Sequence, residues 1–326
     1  MSILITGGAG YIGSHTVRYF SEVNEEVIVV DNLQSGHRKS VDVKHFYELD
    51  LREKEALNNV FKRHSIEAVI HFAANSLVGE SMDKPYDYYH NNVYGMMCLL
   101  DVMKKHKVGK MVFSSTAAIY GEPTSIPILE GEDTTPTNPY GETKLAMEKM
   151  MKWFDQGYGV KYVSLRYFNA AGAHESGEIG EDHKPETHLI PLVLEVPLGK
   201  RETISIFGDD YPTEDGTCIR DYIHVMDIAS AHYAALEYLR KGHSSDAFNL
   251  GNGMGYSVKE VIDVARNITE HSLPVEMKAR RLGDPAILIA SSEKAQTKLD
   301  WKPRFPTLEK IMLDAWNWHR THPKGY

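Results

Sequence analysis

Tyr140 stands four positions before Lys144 in "NPYGETKLAMEKM", residues 138–150. Four residues is one helical turn, so the two side chains share a face if this stretch is helical. A phenol beside an ammonium can be a surface pair, or it can be a proton-transfer couple. Free phenol titrates near 10, too high for a base at neutral pH. A neighbouring cation favours phenolate and lowers that value. Thr116, in "VFSSTAAIYG", adds a hydroxyl that could hold a substrate alcohol in line. The spacing alone does not choose between these readings, so the elements that would position the residues matter.

Those elements alternate. "SILIT", "EVIVVD", "HFYELD", "AVIHFAA", "KMVFSST" and "VKYVSLRYFNA" read as strands, separated by helical stretches such as "REKEALNNVFKRH" and "NNVYGMMCLLDVMKKHK". Alternation of this kind predicts an α/β, Rossmann-type doubly wound parallel sheet. The pattern is regular over 1–169, expected to be a dinucleotide-binding domain. Residues 170–326 are expected to form a smaller mixed α/β substrate domain, with segments near 218–240 returning to the first sheet. In such a sheet, strand ends face the ligand crevice, which would bring Ser114, Thr116, Tyr140 and Lys144 together.

"ITGGAGYIGS" places Gly7, Gly10 and Gly13 between a strand and a helix. Glycines there allow a tight turn, close approach of the backbone to a pyrophosphate, and helix–strand packing. The helix N-terminus then offers N–H groups to phosphate. Asp31 closes the next strand, where a carboxylate would hold ribose hydroxyls and repel a 2′-phosphate. NAD is therefore expected rather than NADP. Asp50 and Leu51 end the third predicted strand, near the expected adenine.

Composition sets bounds. The 326 residues are 42% hydrophobic and 25% charged, ordinary for a soluble globular protein. A net charge of −9 argues against nucleic acid as a partner. No segment is long and apolar enough to span a membrane, and "MSILITGG" lacks the features of a signal peptide. Cys98 and Cys218 read as reduced residues of a cytoplasmic protein. Three features look like sites and are expected not to be. "NLGNGMGYS" reads as a strand-to-helix turn, not a second phosphate loop. No metal is expected: no two histidines form a recognised ligand motif with carboxylates, and His183 and His188 lie in a long polar loop. The stripe Val93, Met96, Met97, Leu100 and Met103 reads as core or a subunit face.

Taken with "HFAANSLVGES", "RYFNAAGAHESGEIGED", "IFGDDYPTEDGTCIRDYIHV" and "RRLGDPA", these motifs resemble the extended short-chain dehydrogenase/reductase family and, within it, nucleotide-sugar epimerases. The resemblance runs along nearly the whole chain. It implies inversion at C4 of a UDP-hexose through a 4-keto intermediate, with NAD tightly held, in a cytoplasmic homodimer formed through the helices carrying Met97 and Met147. It implies catalytic roles for Tyr140, Lys144 and Thr116. It assigns Gly7, Gly10, Tyr11, Ile12 and Gly13 to the pyrophosphate, Asp31 and Asn32 to the ribose, and Asp50 and Leu51 to adenine. Phe72, Ala73, Ala74, Asn91, Ser114 and Phe168 would complete the cofactor site. For the nucleotide sugar it implies Asn169, His188, Leu189, Ser205, Ile206, Phe207, Arg220, Arg281, Asp284 and Leu288, with the two arginines on the diphosphate. Two positions depart from some relatives: Ser76 stands where a lysine can reach the cofactor, and His188 where asparagine can stand. Rival readings are a 4,6-dehydratase and a non-catalytic dinucleotide sensor. Ala117 and Ala118 stand where a dehydratase carries its acid and base, and both Tyr140 and Lys144 are present, unlike in many sensors.

Overall fold

The structure is a computed structural model that describes residues 1–123, 125–280 and 285–326. Its centre is a parallel sheet of seven strands. In chain order these are β1 (Ser2–Thr6), β2 (Val27–Asp31), β3 (His45–Glu48), β4 (Ile66–His71), β5 (Lys110–Ser114), β6 (Lys161–Tyr167) and, after three strands placed elsewhere, β10 (Asp246–Leu250). The spatial order is β10-β6-β5-β4-β1-β2-β3.

Both faces of this sheet are covered, which is why its strands are continuous apolar runs. Successive residues alternate between two cores. Ile3, Ile5, Val27 and Val29 pack on one side with Val17 and Phe20 of the helix Tyr11–Glu22 and with Ile228 and Leu236 of the helix Val225–Arg240. Leu4, Ile28, Val30 and Val69 pack on the other with Leu57, Leu99 and Met147 from the helices Lys54–Arg63, Gly95–His106 and Pro139–Tyr158. Met147 is thus a core residue, not a surface one, whereas Met97 points outward.

The smaller part is built on β9 (Ile219–His224). β7 (Asn169–Ala171) and β13 (Ile287–Leu288) pair with it in parallel, and β11 (Gly255–Ser257) pairs antiparallel. β8 (Ile204–Phe207) and β12 (Val275–Lys278) form a separate parallel pair. The expected return near 218–240 is divided: Val225–Arg240 supplies a helix that packs on the large sheet, β9 stays in the smaller one, and the strand that joins the large sheet is β10. Among the described residues, no helix is long and apolar enough to cross a membrane.

Candidate active site

The glycine turn follows β1 directly. A Cβ on Gly13 would lie 2.1 Å from the Gly7 carbonyl oxygen, so the first helical turn can pack this closely on the loop only without a side chain. Gly10 differs. A Cβ there would touch the described chain only at 3.4 Å, so the space it leaves free belongs to the cleft that Gly10 lines. That open cradle at a helix N-terminus fits a pyrophosphate.

Asp31 closes β2 beneath this turn. Its carboxylate accepts the Ala9 and Leu33 N–H groups, each at 2.8 Å. Burial raises its pKa, against those hydrogen bonds and His37. Two accepted bonds leave lone pairs for ribose hydroxyls. Asp50 and Leu51 follow the end of β3 instead of lying within it. Asp50 accepts Asn32 Nδ2 at 2.9 Å, and hydrogen bonding from Arg52 holds it well below the usual carboxylate range.

Pro139 opens the helix Pro139–Tyr158, and the Asn138 side chain caps it by accepting the Gly141 N–H at 2.9 Å. Tyr140 and Lys144 therefore lie on its first turns, over the end of β5. Lys144 is buried and donates to the Ser114 carbonyl at 2.7 Å. Its nitrogen lies 6.0 Å from the centre of the Tyr140 ring. The Thr116 hydroxyl accepts the Ala118 N–H at 3.2 Å and stands close enough to Tyr140 to act on its phenol. The expected lowering of the phenol's pKa does not come from the chain alone. Burial raises Tyr140, with Thr116 opposing, and burial brings Lys144 down to about 7, with Glu148 opposing. Both charged forms lose hydration here, and desolvation outweighs their separation-weakened attraction.

These residues surround one cleft of about 510 Å³. Gly7 to Gly13, Asp31, Asn32, Asp50 and Leu51 line one end. Phe72, Ala73, Ala74, Asn91, Ser114 and Phe168 line its length, with Thr116, Tyr140 and Lys144 beside them. Asn169, His188, Arg220 and Leu288 close the other end. Asn169, His188 and Arg220 also line an adjoining cavity of about 330 Å³, with Leu189, Ser205 and Phe207. Ile206 does not join them. β8 alternates, and Ile206 is buried in the core with Leu194 and Ile262. Arg281 and Asp284 lie outside the described residues. Ser76 lines the cleft.

Asn92 was not singled out by the sequence reading. Its Oδ1 accepts the Asn75 N–H at 2.8 Å, and its Nδ2 donates to the Thr143 hydroxyl at 3.0 Å. It thus ties the loop after β4 to the Tyr140–Lys144 helix. It lies in a widened turn, Tyr89–Tyr94, with π-type bonding, a feature that often marks functional sites. "NLGNGMGYS" runs from the end of β10 through a turn into the short strand β11, and the helix Val258–Thr269 begins only after it, so the expected strand-to-helix turn is a strand-to-strand turn. Its Asn252 and Gly253 N–H groups donate to Asp221, not to an open space. The absence of grouped metal ligands needs correction at the level of geometry: Glu181, His183, Glu186 and His188 converge. Their loop is aperiodic, so spacing could not reveal this.

The chain belongs to the NAD dependent epimerase/dehydratase family, whose model matches residues 3–251. It is 63% identical over 326 residues to a UDP-glucose 4-epimerase of Halalkalibacterium halodurans, covering 100% of this chain and 98% of that one. A crystal structure of a UDP-glucose 4-epimerase shares 57% identity and superposes with a TM-score of 0.99, covering 100% and 99% of the two chains. The Bifidobacterium longum UDP-glucose 4-epimerase, solved with NAD+ and UDP, shares 39% identity at a TM-score of 0.93 and full coverage of both chains.

Proposed function

We propose that the protein interconverts UDP-glucose and UDP-galactose by inverting C4 of the hexose. It is an NAD-dependent isomerase. The observation that supports this reading is that Tyr140 and Thr116 line the same cleft as the glycine cradle, and that this cleft shares Asn169, His188 and Arg220 with a second cavity. NAD, when bound, supplies the two-electron acceptor and donor for C4. Gly7, Gly10 and Gly13 would hold its pyrophosphate and Asp31 its ribose. Everything else falls to side chains of this chain.

Tyr140 takes the proton of the C4 hydroxyl as that carbon is oxidised, and returns it when the 4-keto sugar is reduced on its other face. Thr116, beside Tyr140 in the cleft lining, orients the alcohol. Arg220 and His188 line both the cleft and the adjoining cavity; Arg220 would hold the diphosphate with Arg281 as its expected partner, and His188 would stand beside the nucleotide sugar. Firm binding at the nucleotide lets the hexose turn over without leaving, since remote binding energy retains the intermediate. The decisive experiment measures UDP-galactose conversion to UDP-glucose with no added reductant or oxidant. A dehydratase would release a 4-keto-6-deoxy sugar, and a sensor would convert nothing; either result rejects the proposal.

Exposed Tyr86, Tyr94, Met97 and Trp153 on neighbouring helices support a homodimer packed through that face. Cys98 and Cys218 are both buried and are not joined in a disulfide, which supports a reducing compartment, the cytoplasm. The division at residue 169 into cofactor and substrate domains is supported by the separate core around Ile190, Ile204, Val261 and Ile311.

A further inference from the structure

The segment between β7 and the helix Leu189–Leu194 carries Glu181, His183, Glu186 and His188. One ligand atom from each lies within 4.8 Å of all the others. Glu181 is almost fully buried. Its Oε1 faces His183 Nδ1 at 3.1 Å and also meets His188 Nδ1. Glu186 faces the same two nitrogens, at 3.7 and 3.8 Å. Each Nδ1 carries at most one hydrogen, yet two carboxylates face each of them. Glu181 Oε1 meets both nitrogens and Glu186 turns one oxygen toward each, so the four side chains gather about one small volume.

The separations suit a metal. With bonds of about 2.0–2.2 Å, neighbouring ligand atoms of a tetrahedral site stand roughly 3.3–3.5 Å apart. The measured spacings lie on either side of that edge. The surrounding backbone is held both by Glu186 itself and, from outside the cluster, by Trp318 and Tyr326, as the surroundings of metal ligands usually are. Glu186 Oε1 accepts the Thr187 and His188 N–H groups at 2.7 and 2.9 Å. Trp318 Nε1 donates to the Glu181 carbonyl at 3.2 Å. The Tyr326 hydroxyl bonds both the N–H and the carbonyl of Gly180, each at 3.0 Å.

We propose that Glu181, His183, Glu186 and His188 bind a single divalent first-row transition ion of the zinc type. Two imidazole nitrogens and two carboxylate oxygens match that class, whereas magnesium and calcium demand oxygen throughout. Two carboxylates balance the ion's charge. With four protein ligands the site is closed, so the ion acts as a clasp and not as a Lewis acid. What it fastens is the loop bearing His188, which lines both cavities.

The test uses the purified protein with its cofactor retained, treated with a chelator, desalted and titrated with zinc chloride by calorimetry. Bound metal is counted by mass spectrometry. One equivalent per chain is expected, with a raised Tm. Cobalt(II) in its place is expected to give the visible absorption of a four-coordinate ion. Glu181→Gln and His183→Asn should each weaken zinc binding at least about tenfold, with circular dichroism unchanged. Should Glu181→Gln not fold, His183→Asn and the wild-type cobalt spectrum decide. Absence of stoichiometric zinc on the wild-type protein at micromolar free metal overturns the proposal. So does unchanged affinity in the folded variants, which would place the ion on other histidines.

Discussion

Lys144 holds its ammonium against the Ser114 carbonyl at 2.7 Å, with its nitrogen 6.0 Å from the centre of the Tyr140 ring. The lysine is thus anchored to the end of β5, and the tyrosine stands beside Thr116, so the two approach without bonding each other in the chain alone. Tyr140→Phe keeps the ring and the helix and removes the oxygen. Turnover of UDP-galactose is expected to fall at least ~10²–10⁴-fold, the usual contribution of a positioned base. Binding of UDP, read by calorimetry, should be nearly unchanged. Activity close to wild type would reject Tyr140 as the base.

Lys144 carries its charge below about pH 7, where burial has brought its pKa, and loses it above. Its field on Tyr140 therefore acts in the acidic range, where a phenol raised by burial needs it most. Lys144→Met is expected to move the acidic limb of the kcat profile to higher pH. A limb in the same place would show that the lysine serves position only.

The same shift makes a stability prediction. The folded amine titrates at about 7 and the ordinary value is 10.5. Between these values the unfolded chain binds more protons, so this group's contribution rises with pH across that window and is at its least favourable below it. Lys144→Met removes the term. Urea unfolding of the variant should show a flatter dependence from pH 7 to 10 and a gain in stability near pH 6.5. An unaltered slope would mean that the amine is not desolvated as the geometry implies.

Asp31 bonds the glycine turn through Ala9 N–H while leaving lone pairs toward the cleft. Asp31→Ala removes both the ribose acceptor and the charge that opposes a 2′-phosphate. The Kd for NAD is expected to rise about tenfold or more, the weight of a hydrogen bond to a charged group. Discrimination against NADP should narrow. A variant that distinguishes the two cofactors as before would place the ribose elsewhere.

What the sequence revealed and what it hid have separate physical causes. The large sheet was readable because β1, β2 and β4 are buried on both faces, which leaves uninterrupted apolar runs. Gly13 and the Tyr140–Lys144 pair were readable because local sterics and helical spacing fix them within a few residues. Ile206 was not, because only the pairing of β8 decides which way each of its side chains turns. Asn92 was hidden since its partners, Asn75 and Thr143, come from two other elements. The Glu181–His188 cluster is assembled by Trp318 and Tyr326, more than a hundred residues away, acting on a loop with no period of its own.

Leu288 bears on substrate range. It lies in β13 paired with Arg220 of β9, lines the main cleft, and packs on the cluster of Ile119, Tyr120, Ile128 and Leu145. By the resemblance to the epimerases it would stand beside the sugar C2 group, where a tyrosine would restrict the site to plain hexoses. Leucine is shorter than tyrosine and lacks the hydroxyl, which leaves room for an acetamido group. The protein is therefore expected to turn over UDP-N-acetylglucosamine, with UDP-glucose and UDP-galactose preferred. Leu288→Tyr should suppress the N-acetyl activity selectively, because a phenol fills the space and excludes the larger sugar sterically. The check is kcat/KM for both sugar pairs in both proteins. A tenfold or greater fall for the N-acetyl sugars alone is expected, and that corresponds to about 1.4 kcal/mol of discrimination. An equal fall for both pairs would mean that tyrosine disturbs the Leu145 cluster rather than gating C2. Absence of N-acetyl turnover in the unaltered protein would move the gate to another residue.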